Sequence, residues 1–135
     1  MTDLFKVLAV DLESGKSRIE LIDERSRVAG GSGLAALLFS RYGHADLSWN
    51  HPSQPFILAV GPLTGYFPLM SKTVLAFRSP YHDQYTESHG GGRSALSLFF
   101  AGYDALVVTG RARGLSCLSI GSRHLLIEDV SFMKG

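Results

Sequence analysis

Two glycine-rich runs, each leading straight into an apolar stretch of helical length, constrain this chain more than any other feature. The first to consider lies within His89–Asp104, HGGGRSALSLFFAGYD: Gly90, Gly91 and Gly92 run into Arg93, Ser94 and an apolar segment that stops at Ala101-Gly102. The other is Ala29-Gly30-Gly31-Ser32-Gly33, followed by Leu34, Leu37, Leu38 and Tyr42 on one helical face and ended by Gly43. Glycine admits positive φ and close backbone approach, and a helix's first turn presents unpaired N–H groups with partial positive charge. A run of this kind serves either as a tight junction between helix and sheet or as an anion cradle. The Gly90–Gly92 run has neither the spacer and Lys-Ser/Thr pair of a Walker A loop nor a G-x-G-x-x-G pattern. Both readings therefore stay open on this run alone.

The segments around these runs read as short strands. Phe5 to Asp11 is a strand, Glu13-Ser14-Gly15-Lys16 a turn, and Ser17 to Ile22 alternates polar with apolar residues as a strand with one wet face does. After the first helix, His44 to Pro55 is a polar loop, and Phe56 to Val60 is a continuous apolar run that suits a buried strand ending in Gly61-Pro62-Leu63-Thr64-Gly65. Lys72 to Arg78 reads as a strand broken by Ser79-Pro80, and Tyr81 to His89 as a polar loop. In the second helix Leu96, Phe99 and Phe100 share one face, with Leu98 on another. Asp104 to Thr109, Leu115 to Ile120 and His124 to Val130 complete the chain as strands. The order is β-β-α-β-β-α-β-β-β. With two helices and hairpins instead of regular β-α alternation, the class is α+β: two β-β-α-β-like halves forming largely antiparallel sheets, one helix packed in each half.

With 135 residues the chain suits one domain, spanning 1–135, and is small for a complete redox enzyme with several prosthetic groups. A hydrophobic share of 45% and a net charge of +1, without a lysine–arginine cluster, predict a folded domain with no nucleic-acid partner. No signal-peptide pattern is present and no apolar run approaches spanning length, which predicts no membrane partner and a cytoplasmic location. Cys117 is the only cysteine, so it forms no internal disulfide and cannot by itself hold zinc or an iron–sulfur cluster; its apolar setting predicts a buried, inert thiol.

Several side chains are candidates for chemistry. Arg93, just inside the second helix, is unfavourable there for the helix dipole, which supports a bound anion as much as a solvated side chain. Thr64 and Ser71 read as turn-closing residues, with a hydrogen bond to a ligand as the alternative, and Tyr103-Asp104 as part of the helix-to-strand turn. Asp83 and Glu87 flank His82 and His89, a grouping that suits metal or acid–base chemistry, although solvated loop side chains are the plainer reading.

Specific residues also carry a resemblance. Phe5-Lys6-Val7-Leu8-Ala9-Val10-Asp11-Leu12 with Ser14-Gly15-Lys16, then Gly30-Gly31-Ser32-Gly33-Leu34-Ala35, then Gly61-Pro62-Leu63-Thr64-Gly65, Arg78-Ser79-Pro80, and Gly91-Gly92 leading to Phe100-Ala101-Gly102-Tyr103-Asp104-Ala105-Leu106-Val107-Val108 stand in one order and spacing. In this the chain resembles the N-terminal domain of tungsten-dependent aldehyde ferredoxin oxidoreductases, from about Phe5 to Val130. The resemblance implies a base on which a tungsten (or molybdenum) bis-pterin rests, its two phosphates bridged by magnesium. It implies cofactor contacts from Lys72, which stands where the family usually has arginine, and from His89, Gly90 and Gly91, where the family has an Asn-Ser-Gly-type segment. Gly92 and Arg93 complete the cofactor-binding set. Lysine keeps the positive charge and loses the two-pronged donor of arginine. A neutral imidazole at 89 accepts or donates one hydrogen bond or ligates a metal, and an ordinary loop histidine is the plainer alternative.

The resemblance assigns no catalytic residue, no protein-ligated metal and no iron–sulfur cluster to this chain, since in the family the cluster cysteines and the substrate-handling residues lie in later domains. The family's pterin base is also longer than this chain, so its last strands are expected to be absent here or supplied elsewhere. The expected role is a cofactor cradle, not catalytically competent alone, within an enzyme that oxidises aldehydes to carboxylic acids and passes electrons to ferredoxin. Its partner is the cysteine-bearing remainder of the oxidoreductase, on the same chain or as a separate subunit. The alternative is a non-catalytic binding or assembly module that keeps the fold and has lost the cofactor, favoured by Lys72 and by the Tyr85-Thr86-Glu87-Ser88-His89 segment. An uncovered sheet face predicts that the isolated chain forms a homo-oligomer.

Overall fold

The computed structural model describes residues 4–135. Strands β1 (Phe5–Asp11) and β2 (Lys16–Ile22) form an antiparallel hairpin. Helix α1 (Gly31–Tyr42) follows, then β3 (Phe56–Val60), β4 (Thr73–Arg78) and β5 (Tyr85–Gly90). A short helix, α2 (Ser94–Phe100), leads to β6 (Ala105–Thr109), and β7 (Ser116–Ile120) and β8 (Leu125–Asp129) end the regular structure before a 3-10 turn at Ser131–Met133. Six strands make one sheet in the order β2-β1-β6-β3-β4-β5, and β7-β8 is a separate antiparallel hairpin. Only β1–β6 is parallel; every other pair is antiparallel. The class is α+β, and β1 to β6, drawn from both halves of the chain, merge into a single sheet.

Side-chain alternation divides this sheet into two buried faces. Phe5, Val7, Ile57, Ala59, Val74, Ala76, Ala105 and Val107 point to one face, against Leu34, Ala35 and Leu38 of α1. Leu8, Val10, Val60 and Leu106 point to the other, against Ala95 and Leu98 of α2 and against Leu118, Ile120, Leu125 and Ile127 of the β7-β8 hairpin. The layers are thus α1, the sheet, and α2 with the hairpin. Phe56-Ile57-Leu58-Ala59-Val60 is continuously apolar because β3 lies inside a sheet covered on both sides. Each large aliphatic side chain so buried contributes roughly 1.5–3 kcal/mol.

Several sequence expectations are corrected. Tyr85–Gly90, whose residues up to His89 read as loop, is a strand paired with β4 from Arg78↔Tyr85 to Thr73↔Gly90. As an edge strand it needs only the backbone ladder on one side, so its sequence carries no apolar alternation. In β2 the apolar residues Ile19 and Leu21 are exposed, as Arg18 is, while the half-buried Glu20 lies opposite Val7 on the α1 side. In α2 the buried residues are Ala95 and Leu98, and Phe100 is 72% exposed. Arg93 is the residue capping α2 and lies outside its first turn. Cys117 is exposed, because β7 turns it away from the face that packs Leu118 and Ile120 under the sheet.

Candidate functional site

The strand directions bring both glycine-rich runs to the same end of the sheet. β3 ends there at Val60, β4 begins there at Thr73, and β5 ends there at Gly90, opposite Thr73. The loop from Gly61 to Lys72 fills this end. Gly30 lies so close to it that a side chain on Gly30 would come within 3.1 Å of the Val60 carbonyl oxygen. The other run is tied in by two hydrogen bonds: Ser71 Oγ donates to the Gly92 carbonyl at 3.3 Å, and the Thr73 and Ser94 hydroxyls meet at 2.7 Å. The first run and the Gly61–Lys72 loop line one groove of about 400 Å³, with Gly31, Gly61, Thr64, Leu69, Lys72 and Val74 among its walls, and the Gly90–Gly92 run lies beside it, outside its lining.

The expected site residues fall around this groove unequally. Lys72 lines it, and it directly precedes Thr73; Arg93 directly precedes Ser94. Because Thr73 and Ser94 touch, the two cationic residues stem from neighbouring points of the backbone. Gly92 takes φ +95 in the turn, and both cations are exposed. Thr64 is 2% exposed, and its backbone N–H donates to the Gly61 carbonyl at 3.2 Å. Asp104 likewise serves the turn before β6: its carboxylate accepts from the Lys6 N–H at 2.8 Å and from Arg25 at 2.9 Å.

His89 lies on the α1 side of the sheet, opposite Val74 in register. Its Nε2 is 3.3 Å from Oε2 of Glu87, and that same oxygen accepts from Ser32 Oγ at 2.7 Å. The Tyr85 hydroxyl donates to the other carboxylate oxygen. These donors hold the Glu87 carboxyl below its ordinary value, Tyr85 first, with Ser32 and His89 adding to it against a smaller effect of burial. Burial and the neighbouring Glu87 together push the Tyr85 phenol upward. Ser32 belongs to the first turn of α1, which has no acidic residue of its own. Glu87 supplies that missing negative charge from a different strand. The two histidine–carboxylate pairs expected to cluster are separated. Asp83 turns to Arg78, at 2.9 Å, and to the Trp49 N–H at the far end of β4, and among the described residues no group of three or more His, Cys, Asp or Glu is placed to hold a metal ion.

Sequence reasoning missed the apolar lip of the groove. Leu63, Tyr66, Phe67, Leu69 and Met70 are all exposed, Leu69 at 97% and with a left-handed φ of 65°. Tyr66 packs edge-on to Phe99, which in turn contacts Phe100, so the lip continues onto α2. The signal was present as five large apolar residues within an irregular loop, a composition that solvent alone does not favour.

Comparison with known proteins identifies the family. Residues 7–135 match the aldehyde ferredoxin oxidoreductase, N-terminal domain family. The chain is 32% identical over 133 residues to the tungsten-containing aldehyde ferredoxin oxidoreductase of Pyrococcus furiosus, covering 96% of this chain and 22% of that protein. It is 29% identical over 133 residues to the enzyme of the same name from Thermococcus kodakarensis, again 96% and 22% of the two lengths. It is also 30% identical over 131 residues to an aliphatic sulfonate oxidoreductase WOR-like subunit of Pyrococcus furiosus, covering 93% of this chain and 21% of that one. Among solved structures, the active site complex BamBC of benzoyl coenzyme A reductase in complex with 1,5-dienoyl-CoA superimposes with a TM-score of 0.92 at 28% identity, over 96% of this chain and 20% of that chain. The chain thus spans about a fifth of the length of the relatives it matches, and it belongs to the aldehyde ferredoxin oxidoreductase N-terminal domain family.

Proposed function

We propose that this chain is the cofactor-cradle part of an oxidoreductase and that the end of the sheet bearing Lys72, Gly90–Gly92 and Arg93 meets the phosphate-bearing side of a tungsten (or molybdenum) bis-pterin. The observation that carries the reading is the Thr73···Ser94 contact, which brings the backbone next to Lys72 and the backbone next to Arg93 together near the glycine turn. Backbone N–H groups of such a turn and flanking cations form the donor set that phosphate oxygens require. The residues present therefore fit the group in charge and donor type, with magnesium offsetting part of the phosphate charge. When bound, the cofactor supplies the two-electron chemistry by which the complete enzyme would oxidise an aldehyde to a carboxylic acid. This chain's residues bind and orient; none of them is assigned a catalytic step.

The apolar lip supports the second half of the reading. Leu69 combines an unfavourable backbone conformation with an apolar side chain that the described residues leave 97% exposed. The cysteine-bearing remainder of the oxidoreductase, with ferredoxin as its electron acceptor in the cytoplasm, is the partner this surface suits. No helix among the described residues is long and apolar enough to cross a membrane.

The reading is tested on protein purified from a host able to make the cofactor. Tungsten or molybdenum together with pterin is the expected content, and Arg93→Ala lowers it about tenfold, the worth of one charge-assisted contact. Metal-free and pterin-free protein from such cells overturns the cradle, and unchanged content in the variant removes Arg93 from it. A second reading, an assembly module that has lost the cofactor, is favoured by one observation: Glu87 already places a carboxylate at the first turn of α1, where an anion would otherwise sit.

A further inference from the structure

Three hydrogen-bonding groups from two elements converge on one carboxylate. Glu87 of β5 takes Ser32 from the first turn of α1, Tyr85 two residues upstream on its own strand, and His89 two residues downstream. Tyr85 is itself held, its ring edge-on to Phe39 of α1 with centroids 5.0 Å apart. A carboxylate fixed by several donors has a fixed set of remaining lone pairs, and an ionised one is an acceptor only. Nε2 of His89 must therefore carry the proton in their contact, which leaves Nδ1 as the bare acceptor of the neutral ring.

We infer that Glu87 is a positioning residue for His89. It holds Nε2–H so that the imidazole offers Nδ1, as a hydrogen-bond acceptor, to the N–H and amino donors of a nitrogen heterocycle. This rests on the cofactor-side reading of Lys72, His89 and Gly90–Gly92 given above, and deepens it: the glycine turn and its cations serve a phosphate, whereas His89 serves the ring. His89 shares its face of the sheet with Val74, which lines the groove with Lys72, so both kinds of contact start from the same end of β4 and β5. The bridge also explains why a polar edge strand keeps its register: Ser32–Glu87 fastens the first glycine run to the strand that leads into the second.

The test has two arms on the full chain. With 15N-histidine labelling and spectra recorded at alkaline pH, His89 is expected to show the Nε2–H tautomer alone, with its ring proton protected from exchange. Glu87→Gln, whose amide can donate as well as accept, is expected to admit the Nδ1–H tautomer and to lower that protection about tenfold. In the second arm the probe is pterin-6-carboxylate, a fluorescent pterin without phosphate or metal. Glu87→Gln and His89→Ala are each expected to weaken its binding about tenfold, and the double variant no further, because one acts through the other. Mixed tautomers in the parent chain, equal exchange rates in parent and variant, or additive losses overturn the positioning role. A parent chain with the fixed tautomer that binds inorganic phosphate and no pterin overturns the acceptor role alone, and one that binds neither overturns the cofactor reading with it.

Discussion

At the scale of single residues, the informative positions are those where one atom more or less decides the local structure. Gly65 ends the GPLTG turn with φ +82, and an added Cβ would lie 2.3 Å from Cε1 of Phe99. Gly65→Ala is therefore expected to destabilise the fold by about 2 kcal/mol, from left-handed strain together with displacement of the Phe99 ring. Urea unfolding reads this directly, and Phe99→Leu in the same background should recover part of it. Asp104 is a second such position. It accepts from the Lys6 N–H and from Arg25, whose guanidinium also stacks 4.1 Å over the Phe5 ring and whose Nε is buried without a hydrogen bond. Asp104→Ala should cost about 2–3 kcal/mol, because it leaves a half-buried guanidinium without its counter-charge. A loss under 0.5 kcal/mol would mean that solvent replaces the carboxylate there. The role of Asp104 in a turn was legible in the sequence. Its partner Arg25 was not, since 79 residues separate them and only the sheet brings them together.

At the scale of elements, β5 is the strand whose existence depends most on its neighbours. Nothing in Tyr85-Thr86-Glu87-Ser88-His89 demands a strand, and the ladder to β4 with the Ser32–Glu87 bridge makes it one. The bridge gives β5 a pH dependence of known sign. Because the folded state holds Glu87 below its ordinary value of 4.5, the stabilisation is complete above that pH and is lost as pH falls through the lower folded value. Stability measured in urea between neutral and acid pH should fall more steeply for the parent than for Glu87→Gln, whose side chain does not titrate. Parallel curves would show that Glu87 contributes no linkage. α1 presents the opposite case. Leu34, Leu37, Leu38 and Tyr42 announced its buried face, and Leu34 and Leu38 are fully buried against the sheet. Leu38→Ala should cost about 3 kcal/mol, as a cavity opens under a helix that cannot collapse onto β3 and β4. The face of α2 was misread because seven residues make barely two turns. Over so short a span the choice of buried face is made by the sheet beneath, not by periodicity.

At the scale of the whole molecule, the uncovered apolar surface is the dominant feature. The lip formed by Leu63, Tyr66, Phe67, Leu69 and Met70 continues through Phe99 to Phe100, and Ile19 and Leu21 add a separate exposed pair on the edge strand β2. Such a surface predicts self-association of the isolated chain. Leu69→Asp with Phe100→Asp should shift sedimentation toward the monomer while leaving the unfolding midpoint within about 0.5 kcal/mol, since neither side chain is in the core. An unshifted distribution would place the contact elsewhere on the surface.

By itself the sequence determined the fold class, most of the elements and the family. These rest on local patterns: apolar runs that match a strand or helix period, glycines that end or begin elements, and a motif order that spans nearly the whole chain. Only the tertiary structure decided that both glycine runs open at one end of a single sheet, that His89 answers to Glu87 while Asp83 answers to Arg78, and that Cys117 and the GPLTG lip face outward. The physical reason is that strand order and direction are settled by burying both faces of the sheet at once. That condition couples residues far apart in the chain and leaves no mark in any short window of sequence.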